Sequence, residues 1–179
     1  MNDSLLWQVR HFIYNHFADT TCPPSVEATS RHFNIATEEA SELYKELHNR
    51  HALFLEPGTL KVRMANPFSG IPTDFEVHTN GKKYYANCAW DMLGIPIALR
   101  RDAVIEAVCT ESKESVRLEI RDERITLPPP NNVTLSDSEG SLLPKSETLR
   151  SQRPLPQSDI LLVHFPLPFA RWYDDLVFT

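Results

Sequence analysis

Near the N-terminus apolar residues recur at steps of three and four, and that spacing predicts helices. Leu5, Leu6, Val9, Phe12, Ile13 and Phe17 mark one face over residues 4–18, with Ser4 placed as the N-cap. Pro23 and Pro24 close the connection, Ser25 caps a short second helix that runs to Phe33, and Asn34-Ile35-Ala36 turns the chain tightly. Thr37 is placed as the cap of a third helix, in which Glu38 and Glu39 sit at the positive end of the dipole and Ala40, Leu43, Tyr44 and Leu47 form the apolar face. Ala52 to Leu55 and Leu60 to Met64, joined by Glu56-Pro57-Gly58-Thr59, read as a two-stranded hairpin. Three helices followed by a hairpin is the winged-helix order, so residues 1–66 are expected to form a winged-helix-like domain.

Met64-Ala65-Asn66-Pro67-Phe68 reads as the exit from that unit into a second domain, residues 67–179. There the period changes from helical to alternating. Phe75 to His78 and Lys82 to Tyr85 flank Asn80-Gly81, a strong hairpin signal, and Ala103 to Cys109 and Ser115 to Ile120 form a further hairpin with Val116, Leu118 and Ile120 on one face. Residues 126–157 hold Pro128-Pro129-Pro130, Asn131-Asn132, many Ser and Thr, Pro144, Pro154 and Pro156, and read as a flexible loop that adds no core. Apolar character returns at Ile160-Leu161-Leu162-Val163-His164-Phe165, a predicted buried strand. Helices first and strands later make the fold class α+β.

A length of 179 residues allows one ordinary domain or two small ones. No apolar run approaches the roughly 18 residues of a membrane span, and Met-Asn-Asp-Ser-Leu-Leu-Trp lacks a basic segment ahead of its apolar residues. The chain is therefore read as cytoplasmic, with no membrane partner. Cys22, Cys88 and Cys109 are odd in number and irregular in spacing, which fits reduced thiols rather than a disulfide framework. The net charge of −6 opposes binding to nucleic acid or anionic lipid. Residues 1–66 carry six Lys and Arg against eight Asp and Glu, and Glu38, Glu39, Glu42 and Glu46 lie on the helix that would enter a major groove. The winged-helix order thus comes without the charge that DNA recognition needs.

The candidate chemistry is concentrated in Tyr84-Tyr85-Ala86-Asn87-Cys88-Ala89-Trp90-Asp91, which runs on into Met92-Leu93-Gly94-Ile95-Pro96. In a helix Cys88 and Asp91 share a face, about 5–6 Å apart at Cβ. An isolated C-x-x-D occurs often by accident, and a buried cysteine is ordinarily a small hydrophobe. Here the aspartate lies between Trp90 and Met92-Leu93, so its carboxyl is expected to be partly desolvated. Desolvation raises a carboxyl pKa and keeps a proton available to a general acid. Cys109 belongs to an alternating strand and is read as a packing residue; Cys22, ahead of two prolines, is incidental. No zinc-finger spacing, H-E-x-x-H, glycine-rich phosphate loop or G-x-S-x-G is present. His48 and His51 are placed on the charged side of the third helix and His164 inside an apolar strand.

Asn87-Cys88-Ala89-Trp90-Asp91-Met92-Leu93-Gly94-Ile95-Pro96, together with Arg63-Met64-Ala65-Asn66-Pro67-Phe68-Ser69, Cys109, Val163-His164-Phe165 and Trp172-Tyr173-Asp174-Asp175-Leu176-Val177-Phe178-Thr179, resembles the organomercurial (alkylmercury) lyase family. The resemblance implies a winged-helix-like N-terminal domain joined to a catalytic domain built on an irregular mixed or antiparallel sheet with helices. It implies protonolysis of carbon–mercury bonds to a hydrocarbon and Hg(II), with Cys88 as a mercury-binding cysteine, Asp91 as the proton donor and Cys109 as a structural cysteine. Thiolate suits a soft metal by the logic that gives copper(I) to sulfur. No resident cofactor is implied: mercury enters as substrate and leaves as product, an organomercurial is the small-molecule partner, and external thiols or a mercury-accepting reductase would take the product. The family's second catalytic cysteine is expected immediately after the Phe-Thr of Val177-Phe178-Thr179, where this sequence ends, so half of a two-thiol site is in view and impaired turnover is expected. The alternative is a non-catalytic organomercurial-binding or winged-helix regulatory module.

Overall fold

The computed structural model describes residues 3–109 and 113–126. Helix α1 (Asp3–Thr20) buries Leu6, Val9, Ile13 and Phe17 completely, the face that the spacing predicts. It begins earlier than expected: Ser4 lies inside the first turn rather than at the cap, where its hydroxyl accepts from Gln8 at 3.3 Å. Asp3 favours that early start, because its carboxylate sits in the first turn and meets Arg50 at 3.1 Å. Helix α2 (Val26–Phe33) is capped as predicted, Ser25 Oγ accepting from the Ala28 N–H at 3.2 Å, and Asn34 ends it in the left-handed conformation at φ 53°. Helix α3 (Thr37–Asn49) is capped by Ala36 without a side-chain bond, so Thr37 is its first helical residue and not its cap. Ala40, Leu43, Tyr44 and Leu47 are buried. The Tyr44 hydroxyl is satisfied by Thr29 at 2.8 Å and the Pro24 carbonyl at 3.2 Å, and burial pushes its pKa up to about 12.

The predicted hairpin forms as β1 (Phe54–Leu55) and β2 (Val62–Ala65), and a third strand, β3 (Phe68–Ser69), extends it antiparallel. The sheet therefore continues across residue 66, where the sequence placed the exit from the N-terminal unit. His51 is exposed, as a solvated residue would be, and His48 is half-buried. They bracket Phe54, edge-on at 5.9 Å and stacked at 5.7 Å, and His48 Nδ1 accepts from the Leu55 N–H at 3.3 Å.

The second sheet holds β4 (Phe75–Thr79), β5 (Lys82–Tyr85), β6 (Ala103–Val108), β7 (Ser115–Arg121) and β8 (Arg124–Thr126) in the order β5-β4-β6-β7-β8. Every pairing among these strands is antiparallel. Asn80 and Gly81 take φ 51° and 72° in the two-residue turn that their identity predicts. Helix α4 (Ala89–Leu99) connects β5 to β6 and packs against β4 and β6, burying Met92 and Ile95 in the core that also holds Val77 and Ile105. Pro96 removes an N–H from the last turns of α4, and Arg100 closes the helix in the left-handed conformation at φ 51°. The short β8 was not expected: Thr126, read as the first residue of a loop, is the last of a strand. Residues 127–179, which contain the rest of that loop, the strand expected at 160–165 and the C-terminal segment, lie outside the described residues.

One apolar core joins the helical unit to both sheets. Phe68 of β3 stacks on Phe17 of α1 at 5.4 Å and 9°, lies edge-on to Tyr14 at 6.5 Å, and meets Tyr84 of β5 at 5.7 Å. Helix α1 carries no basic residue in its last turn. Its open carbonyls are met from β5 instead, by Tyr84 Oη on Ala18 at 2.6 Å and Lys82 Nζ on Ala18 at 3.2 Å and Asp19 at 2.7 Å.

Gly70 shows how tightly β3 is seated, since a Cβ there would stand 2.0 Å from the carbonyl oxygen of Val62. That obstacle is backbone and cannot rotate away. Gly70→Ala is expected to destabilise the fold by about 2–3 kcal/mol, read as a lower urea midpoint with an unchanged m-value.

Candidate functional site

After β5 the chain leaves the sheet at Ala86, whose N–H still donates to Phe75 at 2.9 Å and which bridges to Phe68 of β3. Asn87 then turns inward and Cys88 becomes the N-cap of α4, in extended backbone at φ −156° and ψ 177°. Its carbonyl accepts the first helical bond, from Met92 at 3.0 Å. Asp91 follows in the first turn. Thiol and carboxyl are thus adjacent at the helix N-terminus, although Cys88 caps the helix rather than belonging to it. Both groups are half-buried, while Trp90 between them is 61% exposed.

Burial pushes the Asp91 carboxyl above its ordinary value, and bonds from Asn87 and the Cys88 thiol pull it partly back. Burial also pushes the Cys88 thiol up, and the negative charge of Asp91 adds to that. The N–H groups of Trp90 and Asp91 favour the thiolate, without completing a bond of capping geometry. The pair therefore resists double ionisation.

Sequence reasoning overlooked Asn87. It is 1% exposed, and its Nδ2 stands 3.1 Å from Asp91 Oδ2, 3.2 Å from the Phe68 carbonyl, and 3.4 Å from both the Pro67 carbonyl and Asn66 Oδ1. All four are acceptors, which fixes the orientation of the amide and leaves Asn87 Oδ1 buried without a partner among the described residues. The Asn66–Pro67 peptide, which is cis, lies against α4. A Cβ on Gly94 would come within 3.2 Å of Pro67 Cβ, so a glycine there lets the loop and the helix approach. Tyr14 of α1 was missed as well. Burial raises its phenol, Arg10 at 3.1 Å opposes the rise, and the charge of Asp91 adds to it. The one available signal was an asparagine inside the otherwise apolar and aromatic run 84–90; Tyr14 gave none.

Cys109 follows β6, its N–H donating to Glu114 at 2.8 Å. Strands β5 and β6 flank β4, and Ala86 and Val108 bond to Phe75 and Asp74, so Cys88 and Cys109 emerge at the same end of the sheet. Two strand spacings separate those exits, about 10 Å. Cys22 is exposed beyond the C-terminus of α1. Elsewhere, Glu76, His78 and Glu106 bring ligand atoms within 4.8 Å of one another on the other side of the sheet. Lys83 holds Glu76 at 3.1 Å and Arg117 pairs with Glu106, which makes the group part of a cross-strand charge ladder.

A model of the alkylmercury lyase family, MerB, matches residues 68–140, a span that opens at β3 and takes in the Asn87–Asp91 turn. The crystal structure of the mercury-bound form of MerB2 has a similar fold, with a TM-score of 0.57 at 22% identity over 68% of this chain. This chain spans 58% of the length of that protein. No curated protein matches the sequence. The α+β arrangement read from the sequence, with N-terminal helices and an antiparallel sheet behind them, is therefore present, and part of the chain matches the family that its motifs resemble. Among the described residues no helix is long and apolar enough to cross a membrane.

The raised carboxyl has a consequence for stability. Folding favours protonated Asp91, so the stability it contributes is complete below the ordinary value of 3.8 and is lost as the pH rises through the raised one. Asp91→Asn, which stays neutral, is expected to melt above the native chain at about pH 7 and to lose that advantage below about pH 4, as thermal unfolding across the range would reveal.

Proposed function

We propose that the protein is organomercurial lyase-like and cleaves carbon–mercury bonds by protonolysis at Cys88 and Asp91. The observation that carries this reading is a soft thiol placed beside a carboxyl of raised proton affinity at the N-terminus of α4. The match of residues 68–140 to the alkylmercury lyase family supports it. An R–Hg⁺ cation takes the Cys88 sulfur, and the thiol proton passes to the Asp91 carboxylate. The carboxyl then returns that proton to carbon as the carbon–mercury bond breaks and its electron pair forms the new C–H bond. The products are the hydrocarbon and Hg(II) on the Cys88 thiolate, with Asp91 ionised again. The sum is R–Hg⁺ plus thiol giving R–H plus thiolate-bound Hg(II), balanced in atoms and charge. An external thiol, free or on an accepting protein, would then take the metal.

A DNA-binding use of the helical unit is disfavoured by charge. Glu38, Glu39 and Glu42 are exposed on α3, and phosphate would repel them. Within that unit, Tyr14 of α1 feels the charge of Asp91.

Incubation with an organomercurial and excess thiol, followed by measurement of hydrocarbon and Hg(II), tests the proposal. With the exposed Cys22 replaced by Ser, Cys88→Ala is expected to abolish turnover and to lower capture by one equivalent. In the same background Asp91→Asn is expected to keep capture at Cys88 and to lose turnover by at least about a hundredfold, the scale of a missing general acid. Turnover unchanged in Cys88→Ala would overturn the reading. Capture at Cys88 without hydrocarbon release from the native chain would leave an organomercurial-binding protein instead.

A further inference from the structure

We infer that Asn87 is a positioning residue: its amide holds Oδ2 of Asp91, which leaves Oδ1 as the oxygen that carries and delivers the proton. The inference rests on the protonolysis reading above and adds to it the residue that orients the acid.

The geometry gives the amide a double attachment. One side meets the polypeptide where β3 begins, with the Phe68 carbonyl at 3.2 Å and the Pro67 carbonyl and Asn66 Oδ1 at 3.4 Å. The other side meets Asp91 Oδ2 at 3.1 Å. A neutral carboxyl has one oxygen with a proton and one without. An N–H donor requires the bare oxygen, so Asn87 assigns the proton to Oδ1. When the proton leaves, the same contact becomes a charge-assisted bond and strengthens. Asn87 thus stabilises the carboxylate more than the acid, and an interaction that grows along the reaction lowers its barrier.

The amide is turned so that Nδ2 faces four acceptors, Asp91 Oδ2 among them, while Oδ1 has no partner among the described residues. Its N–H groups are thus committed to the β3 entry and to the carboxyl. The remaining groups near Asp91 cannot replace this contact. Cys88 in the same turn is committed to the metal, and Arg10 of α1 is bonded to Tyr14 at 3.1 Å and to the Ala52 carbonyl at 3.3 Å.

Two measurements test the assignment. In the uniformly ¹⁵N-labelled native chain, one Asn87 side-chain proton should be shifted downfield and slow to exchange, and Asp91→Ala should move it upfield while the backbone spectrum away from α4 is unchanged. This signature does not depend on turnover, so it decides the contact even where the protonolysis reading fails. An Asn87 signal indifferent to Asp91→Ala overturns the inference. With phenylmercury as substrate, Asn87→Ala should lower kcat by about a hundredfold and leave KM and one-to-one capture at Cys88 within twofold, with Asn87→Ser, which keeps a small donor, falling between. Loss of capture together with kcat in both variants, with the native fold retained by circular dichroism, would assign Asn87 to the scaffold and overturn its role in orienting the acid.

Discussion

The seating of Phe68 between α1 and β5 is the contact on which the rest of the structure depends. Its ring is 3% exposed and lies against Phe17 and Tyr14 of α1 and Tyr84 of β5, at the junction between the helical unit and the second sheet. Burying a phenylalanine contributes about 2–3 kcal/mol, and stacked aromatic pairs add about 0.5–1.5 kcal/mol beyond that. The backbone of the same residue pairs with Ala86 and accepts the Asn87 amide. Packing of the helical unit and placement of the acid therefore cannot be varied independently. A shift of α1 against the sheet moves Phe68, and a shift of Phe68 moves the amide that holds Asp91.

Electrostatics then decides what the site can hold. Two unit negative charges about 4 Å apart, the reach of a sulfur hydrogen bond, repel by about 4 kcal/mol at an effective dielectric of about 20. A helix N-terminus returns about 0.3–1 kcal/mol to an exposed anion, up to about 2 kcal/mol in partly buried geometry. Repulsion wins, and burial of both groups deepens the deficit. The pair accordingly retains one proton where free thiolate and carboxylate together would be costly. A monovalent soft cation changes that balance: it replaces the thiol proton, neutralises the sulfur, and lets the retained proton reside on the carboxyl. In the proposed reaction, the arrangement that disfavours two anions is what would hold R–Hg⁺ with an acid beside it.

Much of this was legible in the sequence because it rests on repeating patterns. The faces of α1 and α3 follow from apolar steps of three and four, and the β4–β5 hairpin follows from Asn80-Gly81, whose positive φ angles few other pairs tolerate. What was misread depends on single tertiary contacts. Ser4 and Thr37 are good capping residues, yet Asp3, one residue ahead of the expected start of α1, is held by Arg50, and α3 is capped by Ala36. Strand β3 has two residues and no periodicity to reveal it; its partner β2 and the rings around Phe68 define it. Cys88 and Asp91 were visible as a pair because a carboxyl in an apolar run is conspicuous. Asn87 was not, because its four acceptors come from Asp91 and from residues about twenty positions away. His48 and His51 look like surface residues until Phe54 is placed between them.

The helical unit poses a problem that charge resolves. Its three helices and hairpin follow the order read from the sequence as winged-helix-like, but the exposed face of α3 is acidic, and its first helix ends without a basic residue to meet its own carbonyls. Those carbonyls receive Lys82 and Tyr84 from β5, so the end of α1 is completed only when the second sheet is in place. A helix whose terminus is satisfied by another sheet is built for docking. Once docked, α1 brings Tyr14, backed by Arg10, within electrostatic reach of Asp91, and Phe17 under Phe68. The unit is thus docked against the sheet on which α4, with Asp91, packs, and the acidic surface of α3, where Glu38, Glu39 and Glu42 are exposed, faces solvent.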